Sequence, residues 1–177
     1  VHATPKPKSG ATQKPFVIES PSDGSPKSHS RLYCGVYNSG GVSGYSLYRA
    51  SDDVDLANAV WSDAHQCEEA ARLANRLYSP IVCARYIRGS VDGYSLYEIG
   101  TNRDLGNAVV DNFSDCQMFV DDSSRSNFDI FCSRYVSGDL SGYSLYRLSD
   151  GNDVGNAVFN SAGECSFASR EVCHGYF

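Results

Sequence analysis

The 177 residues carry 15 lysines and arginines against 21 carboxylates, a formal net charge of −6, and 41% of them are hydrophobic. The charge is unevenly divided: residues 1–31 net +3, whereas residues 32–177 hold ten arginines, no lysine and nineteen carboxylates, a net of −9, so the larger part lacks the basic face that a nucleic-acid partner requires. No apolar run approaches the roughly 18 residues of a membrane-spanning helix, and seven cysteines in a chain of this size point to an oxidising compartment.

Residues 1–31, VHATPKPKSGATQKPFVIESPSDGSPKSHSR, are rich in Pro, Ser and Lys and almost free of apolar side chains. Such a composition cannot bury enough surface to offset its ordering entropy and predicts an arm with no core of its own. Phe16, Val17 and Ile18 are the exception, a short segment suited to adding an edge strand to the domain or filling a groove on it. Val1, His2 and Ala3 fit the small-residue pattern ahead of a signal-peptidase cut, which together with the cysteines predicts a secreted, extracellular protein.

From Leu32 onward the chain repeats itself every 49 residues without a gap, and the phrase GYSLY recurs at residues 44–48, 93–97 and 142–146. A unit of this size buries too little surface to stand alone, so the three copies, about 32–80, 81–129 and 130–177, are expected to share one core in a single α+β domain around a pseudo-threefold axis. Within a copy, IVCARYI and IFCSRYV are β-branched and aromatic, and their alternation puts Cys83 and Arg85 on one face and Val82, Ala84 and Tyr86 on the other. Glycines at 40, 89 and 138, then at 44, 93 and 142, bracket a loop that turns this strand back into a second, GYSLY. Leu47 and Tyr45 then face opposite to Ser46 and Tyr48.

Next comes the DLGNAVV stretch, in which Asp55, Asp104 and Asp153 stand three residues before Asn58, Asn107 and Asn156. These are either oxygen ligands for sugar hydroxyls or a cation, or the start of an Asx turn leading into a short strand; the turn is the simpler reading, because two oxygens per copy are few for calcium. Asp63, Asn112 and Ser161 are placed as helix N-caps, with Gln66, Asp115 and Glu164 three residues on. The helix that follows is clearest in copy one, where Ala64, Cys67, Ala71, Ala74 and Tyr78 form a stripe; the other two are expected to be shorter. Asn112 also heads the sole N-glycosylation triplet, NFS.

Cys34, Cys83 and Cys132 share one repeat position, and Cys67, Cys116 and Cys165 another. A repeated bridge is implied. The expected scheme joins each helix to the next copy's first strand, Cys67 with Cys83 and Cys116 with Cys132, and closes the ring with Cys165 and Cys34. Cys173 is then left free or in an intermolecular pair. The rival scheme pairs Cys34 with Cys67, Cys83 with Cys116 and Cys132 with Cys165. There is no CxxC pair and no Cys/His cluster at zinc spacing, so no metal or cofactor is expected.

The capped helix with a cysteine near its start, the strand carrying a second cysteine about sixteen residues later, and the hairpin ending in SLY resemble the core of PAN/apple modules, without those modules' further cysteines. That resemblance implies adhesion or recognition and brings no catalytic residue. A β-trefoil is the competing architecture, since it too is built from three copies of 40–50 residues, although the helix of copy one argues against it. Catalysis finds little to use: there is no GxSxG and no phosphate-cradling glycine loop, His65 falls on the polar side of a helix, and His174 is in the tail. Binding remains. The hairpin tips differ (NSGGVS, IRGSVD, VSGDLS), which favours an extracellular protein partner met through Trp61 and Arg88, in an effector-like role or as an inhibitor of a secreted hydrolase. The alternative is a multivalent lectin whose three sites use Tyr48, Tyr97 and Tyr146 with Asp55, Asp104 and Asp153.

Overall fold

The computed structural model describes residues 31–155 and 157–172. The segment 16–18, Asn156 and Cys173 lie outside the described residues. Three antiparallel hairpins and three helices alternate: β1 (Leu32–Ser39), β2 (Val42–Arg49), β3 (Val54–Asp55), α1 (Ala64–Leu77), β4 (Ile81–Arg88), β5 (Val91–Glu98), β6 (Arg103–Asp104), α2 (Phe113–Ser123, continued by a 3-10 turn over Ser124–Ser126), β7 (Ile130–Ser137), β8 (Leu140–Arg147) and α3 (Ala162–Glu171). The sheets β1-β2-β3, β4-β5-β6 and β7-β8 stay separate. Among the described residues no closed barrel forms, which sets the β-trefoil aside.

Each hairpin turns through two residues, led by Gly40, Gly89 and Gly138 at φ near +60°, a left-handed conformation that glycine adopts without steric cost. The second strand therefore starts two residues ahead of GYSLY, and the expected loop is shorter than its bracketing glycines suggested. Register places Cys34 opposite Leu47, Cys83 opposite Leu96 and Cys132 opposite Leu145.

Every letter of GYSLY has a packing reason. After β3, the chain returns across β2 so that Tyr45 and Trp61 exchange backbone hydrogen bonds of 2.9 and 2.8 Å; Tyr94 pairs likewise with Val110, and Tyr143 with Phe159. That return passes directly over the glycine. A Cβ on Gly44, Gly93 or Gly142 would stand 2.3, 2.6 or 2.4 Å from the carbonyl oxygen of Trp61, Val110 or Phe159, closer than any side chain can be tolerated. The serine is buried and bonded, the leucine is fully enclosed beneath the helix, and the last tyrosine is buried on the opposite face.

The helices start where their caps predict. The Asp63 side chain accepts from the His65 N–H, Asn112 from the Asp115 N–H and Ser161 from the Glu164 N–H. α1 is the longest, at 14 residues against 11 and 10. Its buried stripe is Cys67, Ala70, Ala71 and Ala74; Tyr78 is not part of it, because the helix ends at Leu77 and Tyr78 takes a left-handed φ of 51° as the C-cap, its ring 67% exposed.

The disulfides follow the rival scheme: Cys34–Cys67, Cys83–Cys116 and Cys132–Cys165, with Cα–Cα distances of 5.7, 5.7 and 5.9 Å. The expected bridges Cys67–Cys83, Cys116–Cys132 and Cys165–Cys34 are not formed. The reason is the way each helix lies. Its first turn sits over the middle of its own hairpin, so that the Sγ of Cys67 is 3.4 Å from the Ser46 carbonyl oxygen and that of Cys165 is 3.4 Å from the Ser144 carbonyl oxygen. The cysteine is therefore already above its own strand.

Packing between units also departs from a ring. α1 lies on β1 and β2 and on the next strand β4; α2 lies on β4 and β5 and on β7; α3 lies on β7 and β8, and α2 packs between α1 and α3. α3 and β1, which closure about an axis would bring together, share no such interface among the described residues. The units stand in a row, with a continuous core running through Leu47, Trp61, Leu96, Phe119, Phe131 and Leu145.

Candidate functional site

The tyrosines and aspartates proposed for sugar contact are brought together, and then used internally. Tyr48 pairs with Asp55 across β2 and β3, Tyr97 with Asp104 across β5 and β6, and Tyr146 bridges to Asp153. Each aspartate accepts the hydroxyl of the buried serine two residues before its tyrosine, from Ser46 and Ser95 at 2.5 Å and from Ser144 at 2.6 Å. The same oxygen closes an Asx turn by accepting from the N–H of Ala57, Gly106 or Gly155 at 2.9–3.0 Å. The turn reading of these aspartates is the one the geometry follows. The rings are 2, 7 and 6% exposed, too little for an aromatic platform, and two of them stack on a neighbouring ring, Tyr48 on Tyr33 and Tyr146 on Phe131. Burial, and then the facing Asp55, push the Tyr48 hydroxyl up to about 12; the same two causes, with Asp104 and Asp153, raise Tyr97 and Tyr146.

Trp61 does not reach a partner. Its side chain is fully buried beneath the hairpin, with Nε1 lacking a hydrogen-bond acceptor, so it is a core residue rather than an interface anchor. The reason is the backbone exchange with Tyr45, which turns position 61 inward in every unit, where Val110 is 1% exposed and Phe159 half-buried. Arg88 is placed as expected: it is exposed at the tip of β4, opposite Val91.

Two features were not legible as sites beforehand. The first is apolar exposure at the tips: Val42, Val91 and Leu140 occupy the same position in the three hairpins and are 53, 49 and 53% exposed, with Ile87 and Val136 beside them at 40 and 43%. The 49-residue spacing of these aliphatics, on strands whose inner halves are mostly buried, is the signal that could have found them. The second is a cleft of about 200 Å³ lined by Arg103, Asp104, Asn107, Tyr146 and Gly151. Arg103, Asp104 and Asn107 are already committed within the chain, whereas the buried Tyr146 hydroxyl has no hydrogen-bond partner. Arg103 donates to the Leu148 carbonyl at 2.9 Å, and Asn107 to the Val136 carbonyl at 3.1 Å. The cleft is thus the seam between the second and third units. Asn58 makes the corresponding bond to Ile87 at 3.3 Å, so the repeated asparagine joins one unit to the next.

Asn112 is exposed at the head of α2, and its Nδ2, the atom a glycan would occupy, donates to Asp115 at 2.8 Å. No helix among the described residues is long and apolar enough to cross a membrane, and no group of three metal-ligating side chains occurs there. No protein family, no curated protein and no solved structure matches the chain.

Proposed function

We propose that this is a secreted, non-enzymatic recognition protein that binds an extracellular protein partner through its hairpin tips, in an effector-like role or as an inhibitor of a secreted hydrolase. The observation that carries this reading is the exposure of Val42, Val91 and Leu140 at one position of three hairpins whose other half is closely packed. A row of aliphatics at strand ends has no use in the fold, and exposed apolar patches on secreted domains mark contact surfaces. Arg88 adds a residue type that recurs at interface hot spots. With −9 on residues 32–177, the fitting partner presents an apolar surface edged by basic groups. Three disulfides support an oxidising destination. One unit design used three times, with different tips, fits a scaffold that varies its contacts. The lectin alternative has less support, because its tyrosines are interior and its aspartates are held by serine and backbone.

The test is capture of the partner from the natural extracellular fluid, followed by calorimetry with that purified partner. Val42→Asp, Val91→Asp and Leu140→Asp together should abolish binding while leaving thermal unfolding unchanged. Saturation of the chain by three sugars, with no protein bound, would end this reading.

A further inference from the structure

We propose that copies of this chain associate head to tail, the α3 side of one molecule seating on the β1 side of the next. The chain makes one kind of junction twice and then presents its two halves at opposite ends. At the first junction, Arg49 donates to the Ile99 carbonyl at 2.7 Å, Asn58 to the Ile87 carbonyl, and the Tyr94 hydroxyl to Gln66 at 2.7 Å. At the second, Arg103 and Asn107 reach Leu148 and Val136, Phe119 meets Tyr143 with ring centres 5.8 Å apart, and the buried Asp122 holds Arg170 at 2.7 Å and Ser166.

Among the described residues, the two outer faces of the row carry exposed apolar side chains. On α3, Phe167 is 63% exposed where its counterpart on α2, Met118, is partly buried. On β1, Val36 is 73% exposed where Arg85 and Arg134 are half-buried, the latter beneath a backbone bridge from Ala108. Ala157, the counterpart of Ala108, is exposed. Arrays of stacked units ordinarily close with polar outer faces, whereas Phe167 and Val36 leave apolar groups exposed on these two faces among the described residues.

One opposite-charge pair is matched across the two faces, although Glu68 stands at the place of Ser166, the other group that Asp122 holds. By the 49-residue register, Glu171 stands at the place of Asp122, and Arg72 at the place of Arg170. Glu171 is exposed on α3, and the Arg72 side chain is 68% exposed on α1. Seating the third unit on another molecule's first unit would bring them together as Asp122 and Arg170 are brought together inside the chain. Likewise Glu164 takes the place of Gln66, facing Tyr45 in the place of Tyr94. The occupant that these faces fit is therefore a second copy, and because the two surfaces differ, the contact does not close on itself after two molecules.

Sedimentation velocity of the full chain over a concentration series tests this. Species beyond the dimer that grow with concentration are expected. Arg72→Glu and Glu171→Arg should each reduce association several-fold, and an equimolar mixture of the two variants should associate again, since each reversed charge then meets its opposite. Circular-dichroism melting confirms that both variants fold as the parent does. A parent chain that stays monomeric throughout, a dimer that neither change weakens, or a mixture that remains apart would overturn the proposal.

Discussion

Replacing Asp104 by alanine separates a structural role from a ligand-binding one. The Asp104 carboxylate accepts from the Ser95 hydroxyl at 2.5 Å and from the Gly106 N–H at 2.9 Å. Bonds to a charged acceptor contribute about 1.5 kcal/mol each at the low end appropriate to a carboxylate with an exposed edge, and the Ser95 hydroxyl, left without its acceptor in a buried site, adds roughly 1 kcal/mol. The loss is about 3–4 kcal/mol. At about 2–4 °C per kcal/mol for a domain of this size, the melting temperature should fall by roughly 10 °C. Asp104→Asn keeps the accepting oxygen and should lose about a third as much, because only the charge is removed. Calorimetric melting of the parent and both variants gives the numbers. If Asp104→Ala melts with the parent while some ligand affinity is lost, the aspartate serves a ligand and the packing argument for its repeat position is wrong.

Gly93→Ala should destabilise by about 1–3 kcal/mol, since the added carbon meets the Val110 carbonyl at 2.6 Å and a Val109 methyl at 2.4 Å; a change within ~0.5 kcal/mol in denaturant unfolding would show that the strand return is looser than described. Replacing Cys83 and Cys116 together by alanine opens a loop with a sequence separation of 33 and should lower stability by about 4 kcal/mol, and non-reducing peptide maps of the parent should contain Cys34–Cys67, Cys83–Cys116 and Cys132–Cys165 but no Cys67–Cys83 peptide. Burial holds the Tyr33 and Tyr48 hydroxyls protonated up to about 12, aided by Asp53 and Asp55, whereas in the unfolded chain they ionise near 10. Their contribution is thus fully present below pH 10 and lost as pH rises from 10 to about 12, and Tyr48→Phe should flatten that decline when unfolding midpoints are followed against pH.

Much of the fold could be read from local chemistry. Strand alternation around Cys83, the caps at Asp63, Asn112 and Ser161, and the Asx turns at Asp55, Asp104 and Asp153 all depend on neighbours a few residues apart, and all are seen. The bridge partners were not readable, because a cysteine in a helix's first turn has two hairpins within chain reach, and only the direction in which the helix lies chooses between them. Nor was the row: forward contacts such as Asn58 to Ile87 and Asn107 to Val136 look the same in an open array and a closed one until the last unit is considered. Trp61 misled for a different reason. A single tryptophan resembles an interface anchor by residue type, yet the apolar Val110 and Phe159 at its repeat position already described an inward-facing site. Ser46, Ser95 and Ser144 were missed, although their constant nine-residue distance from an aspartate is the signature of the pair they form.

The placement of the three bridges also fixes how the chain would respond to force. Each joins residues 33 apart, so at about 3.4 Å per extended residue each withholds roughly 110 Å of contour from a pull applied at the termini. Only the sixteen-residue spans from Cys67 to Cys83 and from Cys116 to Cys132 can lengthen between them, to about 55 Å apiece. Those spans carry the greater part of α1 and α2. An oxidised molecule under tension would therefore yield by unravelling helices while its hairpins stay knotted, and a reducing agent would more than double its reach.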